Sequence, residues 1–183
     1  KRALDIGARD GHLSLLLAEF FDEVTALDLE RPSVVHNRVT CVGGDVTNLE
    51  FDDNAFDLVL CTEVLEHIPP RLLEKATSEL RRVSSEFLLI GVPYKQDIRL
   101  GRTTCHSCGG NNPPWGHVNS FDENWLKSLF AECTANEMSF VGRINAHTNW
   151  ISAFLMDLAG NPYGTYSQEE KCVHCGEKLL SPP

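Results

Sequence analysis

Two hydrophobic periods alternate along the first half of the chain. Ala3-Leu4-Asp5-Ile6 is a short apolar-rich run that stops at Gly7, and Gly11 follows four residues later. Leu13, Leu16, Leu17 and Phe20 then recur at i, i+3, i+4 and i+7, which predicts a helix burying those four side chains. Val24 to Leu27 reads as a second strand ending at Asp28, and Glu30-Arg31-Pro32-Ser33 as a turn. Arg38 to Val42 is a third strand, leading into Gly43-Gly44-Asp45-Val46, and Phe56 to Cys61 is a fourth, apolar enough to be central. After Pro69-Pro70 a helix carries Leu72, Leu73, Ala76, Leu80 and Val83 on one face, and Phe87 to Val92 is a fifth strand. Strands alternating with helices imply a parallel sheet covered on both faces.

The rhythm breaks between Tyr94 and His117, where Gly, Pro and Asn gather. Ser120-Phe121-Asp122-Glu123 matches a capping box ahead of a helix with Trp125, Leu126, Leu129 and Phe130 on its apolar face. Ser139 to Ala146 and Trp150 to Leu158 read as a closing antiparallel hairpin, and the tail from Gly160 is rich in turns. The expected organisation is one domain over residues 1–158, with an insertion at 94–117, and a tail over 159–183.

At 183 residues, with 42% hydrophobic and 23% charged residues, the chain can bury one real core. No apolar run approaches the ~20 residues that span a bilayer, and no signal peptide is visible. A soluble, cytoplasmic protein is the expectation, although the chain opens almost directly on its first strand and a native segment before it is not excluded. Net charge is −10 and the longest basic cluster is Arg81-Arg82, which argues against a general nucleic-acid binder and for a small-molecule substrate.

Strand, glycine turn, helix, strand and acid, in that order, build a site for a nucleoside cofactor. Glycines admit the ligand to the backbone, a helix N-terminus offers N–H groups, and the carboxylate accepts ribose hydroxyls. Leu4-Asp5-Ile6-Gly7-Ala8-Arg9-Asp10-Gly11 resembles the first motif of class I S-adenosylmethionine-dependent methyltransferases, of the type 11-like group. Asp28, Asp45 and Phe56-Asp57-Leu58-Val59 fall where that family has its later motifs, and the likeness covers about Ala3 to Leu158. It implies a three-layer Rossmann-like sandwich with a mostly parallel seven-stranded sheet and an antiparallel last hairpin. It also implies roles: Gly7 and Gly11 against the methionine part, Asp5 holding the loop or the cofactor's amino group, and Asp28 on the ribose. Asp45 bonds the adenine amino group, Val46 packs on the ring, and Thr62 and Glu63 lie beside the first loop. Arg9 departs from the pattern, standing where the family has a middle glycine.

Cys61 to Pro69 contains the V-L-E-H-I-P run common in that family, which makes His67 the best-placed general base, with Glu63 and Glu66 beside it. The alternative is that Glu66 and His67 only shape the loop. Glu63, Glu66, His67 and His117 also resemble the divalent-metal site of small-RNA 3′-end 2′-O-methyltransferases. That likeness implies Mg²⁺ or Mn²⁺ and an RNA acceptor as a second possibility.

Seven cysteines include two pairs, Cys105-His106-Ser107-Cys108-Gly109 and Cys172-Val173-His174-Cys175-Gly176. Each has the C-x-x-C-G form of a zinc knuckle, and two knuckles complete a closed tetrahedral Cys₄ site. Local disulfides do not suit a cytosolic chain, and a redox pair needs no duplicate. Cys41 and Cys61 are expected in the core. The zinc would clamp the loop after the fifth strand to the tail, with Tyr94, Trp115 and Trp150 available to line an acceptor pocket. Two function classes follow: an O-methyltransferase acting on a sugar, phenol or natural product, or a non-catalytic zinc-stapled interaction domain.

Overall fold

Five parallel strands form the sheet, in a computed structural model that describes residues 1–142, 147–159 and 171–180. Two compact units divide the chain: Lys1–Val92 with Asn124–Thr134, and Pro93–Glu123 with Ala135–Pro183. The first unit runs β1 (Arg2–Ile6), α1 (His12–Leu17), β2 (Glu23–Asp28), β3 (Val39–Gly43), β4 (Phe56–Thr62), α2 (Pro70–Val83) and β5 (Ser84–Gly91). The spatial order is β3-β2-β1-β4-β5. Chain direction across the sheet reverses between β1 and β4, so the right-handed crossovers through α1 and α2 fall on opposite faces. Register sets the edge that matters here. Ile6 lies beside Leu27 and Cys61, and Asp28 beside Gly43, so the turns after β1, β2, β3 and β4 leave one end of the sheet together.

The strands read much as the apolar runs predict because β1 and β4 are covered on both faces: Ala3, Leu4, Ile6, Val59 and Cys61 are at most 2% exposed. The helical period of α1 is also correct, but its phase is not. Leu13, Leu16 and Phe20 face outward at 37%, 49% and 75% exposure. The inner face is Ser14, Leu17, Ala18 and Phe21, with Ala18 packed in a cluster with Ala3 and Val24. Small residues at Ser14 and Ala18 let the helix sit close to the sheet, a preference that hydrophobicity alone does not encode. α2 buries Leu73, Ala76, Thr77, Leu80 and Val83, and Pro70 sits in its first turn, where a missing N–H costs nothing. Arg82 near its end donates to the carbonyls of Leu49 and Phe51 and to Asp53 and Glu79, tying the 49–53 crossover to the helix.

The second unit holds a two-stranded antiparallel pair, β6 (Thr103–Thr104) and β7 (Asn111–Asn112). Helix α3 (Glu123–Leu129) begins at the unit boundary, and α4 (Trp150–Leu158) lies in the second unit. The Ser120 hydroxyl donates to the Gln96 carbonyl. The expected closing hairpin is corrected as well. Trp150 to Leu158 is helical, because Asn149 caps it by accepting the Ser152 N–H at 2.9 Å and a short apolar run fits either period. Residues 139–142 carry no strand, and residues 143–146 lie outside the described residues. The sheet therefore has five described strands where seven were expected. No helix among the described residues is long and apolar enough to cross a membrane.

Candidate functional site

The turn after β1 is built by backbone geometry before any side chain matters. Gly7 has φ +79° and donates its N–H to the Leu27 carbonyl at 2.9 Å, as Ala8 does at 3.1 Å. Gly11 has φ +78° and is the N-cap of α1. Arg9, in the place of a middle glycine, keeps a left-handed conformation at φ +43°. Its backbone N–H donates to Asp28 Oδ2 at 2.9 Å, and Leu29 N–H donates to Asp28 Oδ1 at 2.7 Å. The acid at the end of β2 thus holds the first loop directly. Each carboxylate oxygen keeps a further lone pair for a ligand.

Asp5 lies within β1, fully buried, and accepts the Ser14 hydroxyl of α1 at 2.5 Å. Burial raises its carboxyl above the ordinary range; the Ser14 bond opposes this and Asp28 adds to it. Asp45, just after β3, is exposed and caps its own turn by accepting the Thr47 N–H at 2.8 Å, while Val46 beside it is buried. Thr62 ends β4, and Glu63 follows at φ +56° with its N–H on the Gly91 carbonyl of β5.

Leu65 to His67 form one 3-10 turn. Glu66 is completely buried, and neither carboxylate oxygen has a hydrogen-bond partner among the described residues. Burial, and then the Glu63 carboxylate, push its carboxyl up to about 8, so it holds a proton at neutral pH. Cys61 below it is buried too; burial first, then Glu66 and Asp5, raise its thiol so far that it stays neutral. His67 is exposed, with its N–H on the Val64 carbonyl. His117 belongs to the second unit, where its Nδ1 pairs with Gln96 Oε1.

Sequence reasoning missed Ser14, Val64 and Val34. An added Cβ at Gly7 would run into Val64, and one at Gly11 into Val34. No spacing rule marks those two valines, since each contact joins separate loops.

In the second unit the four paired cysteines converge: one sulfur from each of Cys105, Cys108, Cys172 and Cys175 lies within 4.8 Å of all the others. Cys105 and Cys175 sulfurs are 3.7 Å apart, as are those of Cys108 and Cys172. Burial would raise the Cys172 thiol, but N–H groups of His174 and Cys175 and the Asn112 side chain outweigh it and bring the thiol down to about 6. Cys175 accepts the Glu177 N–H, yet burial and the neighbouring sulfurs push it up to about 12. Four sulfurs this close do not ionise together without a cation. Trp150 is 72% exposed and Trp115 49% exposed, so neither is core, and the Tyr94 hydroxyl donates to Glu123.

Residues 4–86 match the family model described as a methyltransferase domain. Among solved structures, the YcgJ protein of Bacillus subtilis is similar at 20% identity and a TM-score of 0.53, over 72% of this chain and 60% of that one. A putative methyltransferase from Bacillus halodurans is similar at 19% identity and a TM-score of 0.56, over 72% and 61%. A chain from the complex of the Haloferax volcanii Trm112 methyltransferase activator with a putative methyltransferase matches at 14% identity and a TM-score of 0.54, over 72% and 59%. The chain thus spans about three-fifths of the length of each. These likenesses share the Rossmann-like fold. The family match lies within the first unit.

Proposed function

We propose that the chain transfers the methyl group of S-adenosylmethionine to an oxygen of a small molecule such as a sugar, phenol or natural product. The observation that carries this is the convergence of Gly7, Gly11, Asp28, Asp45 and Thr62 on one end of a sheet whose segment 4–86 matches the methyltransferase family. Gly7 and Gly11 leave the loop backbone open to the methionine part, and Asp28 takes the ribose hydroxyls with its spare lone pairs. Asp45 takes the adenine amino group, Val46 gives the ring an apolar floor, and Asp5 holds the loop through Ser14. Bound there, the cofactor supplies a methyl group already activated on a sulfonium. The protein's task is then to position the acceptor and remove its proton. Exposed His67 is the candidate base, with Glu63 and Glu66 shaping its turn. The net charge of −10 favours a small acceptor over a polyanion. Calorimetry with S-adenosylhomocysteine is the test: failure to bind at ~1 mM would remove the cofactor claim. Binding without methyl transfer to any fraction of a cell extract would favour the interaction-domain alternative.

The second element of the proposal is structural zinc on Cys105, Cys108, Cys172 and Cys175. A tetrahedron with ~2.3 Å zinc–sulfur arms has edges of about 3.8 Å, close to the two 3.7 Å sulfur separations. All four ligands are thiols and no position is open, so the ion would hold structure rather than do chemistry. Protein purified without chelator should carry a single zinc, and less than ~0.2 per chain would overturn the assignment.

One observation supports a second reading of the acceptor half. Glu66 is a buried carboxyl whose oxygens have no hydrogen-bond partner among the described residues, the kind of group a divalent cation satisfies. Mg²⁺ or Mn²⁺ on Glu63, Glu66 and His67 would lower the pKa of an acceptor hydroxyl, the chemistry expected for RNA 3′-end 2′-O-methylation. Full activity in metal-free buffer would rule this out, and loss with EDTA reversed by Mn²⁺ would support it.

A further inference from the structure

The two cysteine hairpins are copies of one another in their backbone bonds. Cys105 N–H donates to the Gly110 carbonyl and Gly109 N–H returns to Cys105; Cys172 N–H donates to Glu177 and Gly176 N–H returns to Cys172. The copies part at the seventh residue after the first cysteine, which is Asn112 in one and Leu179 in the other. Both are buried, at 1% and 3% exposure, and Leu179 packs with Cys105 and Cys172 as an apolar plug.

Asn112 has a different set of partners. Its Nδ2 donates to the Gly110 carbonyl at 3.0 Å and to the Thr103 carbonyl at 3.3 Å, both in its own hairpin. Its Oδ1 accepts the Val173 N–H of the other hairpin at 2.8 Å. Val173 directly follows Cys172, so this amide fixes the backbone that aims one ligand sulfur. We propose that Asn112 is the positioning residue that joins the two hairpins and pre-assembles the four sulfurs, so that metal affinity depends on it although it is not a ligand. This rests on the zinc reading above. The physical reason is double. Without Asn112 the part-buried Val173 N–H loses its acceptor, and two hairpins that must find each other at each binding event pay an ordering cost that the amide otherwise removes. The apolar residue that serves the second hairpin cannot serve the first, because no side chain of Leu179 type accepts the Val173 N–H.

The test compares wild type with Asn112→Leu and Asn112→Asp in the full chain. Zinc affinity is read by competition with a chromophoric chelator, and Val173 protection by amide exchange on metal-free protein. Asn112→Leu should bind zinc about 10–100-fold more weakly and lose Val173 protection. Asn112→Asp keeps an oxygen for the Val173 N–H and should retain that protection, with a smaller loss of affinity. Unchanged amide protection in β1 and β4 shows that the first unit is still folded in each variant. Asn112→Leu binding zinc within about twofold of wild type, or Val173 equally protected in both, overturns the role of Asn112 and leaves the zinc site standing. Wild type that binds no zinc overturns the site and this role together.

Discussion

Replacing Gly7 with Ala puts a number on how tightly the first loop is built. Two separable costs arise. A Cβ at φ +79° in the left-handed region costs about 1–2 kcal/mol. The same Cβ lands on Cγ2 of Val64, and overpacking of that kind costs about 1–3 kcal/mol. The sum is about 2–5 kcal/mol, a large share of the ~5–15 kcal/mol that holds an ordinary domain. Because only the second cost involves Val64, a double-mutant cycle divides them. In a Val64→Ala background the Gly7→Ala penalty should fall by about 1–3 kcal/mol, leaving the backbone cost. Native-state amide exchange in β1 and β4 reads the free energy of the first unit without assuming that both units unfold together. A coupling under about 0.5 kcal/mol would refute the contact with Val64. A total penalty below about 1 kcal/mol would refute the left-handed constraint itself.

Other perturbations have equally definite outcomes. Glu66 has its carboxyl raised from 4.5 to about 8, so the folded state binds its proton more tightly than the unfolded state does. Its contribution to stability is full below pH 4.5 and is lost as pH rises to about 8, and Glu66→Gln should flatten this part of the urea-denaturation pH profile by roughly 3–5 kcal/mol; an unchanged profile would count against a buried, protonated Glu66. Arg82→Met removes donors to the Leu49 and Phe51 carbonyls and should cost about 1–3 kcal/mol in the same assay, whereas a neutral result would mean water replaces the guanidinium. Cys172→Ser should abolish zinc retention and amide protection in both hairpins while leaving β1 to β5 protected; retained zinc would refute four-sulfur ligation.

How legible these features were depended on how far each signal reaches along the chain. β1, β2, β3 and β4 follow directly from apolar runs bounded by glycine, acid and proline, and the two C-x-x-C pairs mark the sulfur cluster with no help from structure. The phase of α1 failed because leucine count outweighed the small residues Ser14 and Ala18, whose value lies in close approach to the sheet. Trp150 to Leu158 failed because nine apolar-rich residues fit both periods, and the Asn149 cap decided between them. Asn112, Val64 and Val34 could not be read at all: their partners are Val173, Gly7 and Gly11, and only the fold brings each pair together.

Arg9 shows how a local departure can be consistent with the site around it. A middle glycine is needed only if the backbone must turn left-handed, and Arg9 does so at φ +43° with a side chain that is exposed. The strain of about 1 kcal/mol is offset by the charge-assisted bond from its N–H to Asp28. Asp28 therefore couples the loop to the end of β2, and Leu29 N–H on its other oxygen fixes the carboxylate plane. If Asp28 also receives the ribose, the cofactor meets an acid already oriented by two amides, and binding does not have to order it. Asp28→Asn keeps the shape but puts an N–H against one of those amides, so it should weaken S-adenosylhomocysteine binding by at least about tenfold, about 1.4 kcal/mol. The same variant should also free the Arg9 amide to exchange. Weakened binding with Arg9 still protected would place Asp28 on the ligand alone; an exposed Arg9 amide with unchanged binding would make it a loop anchor and remove it from the cofactor site.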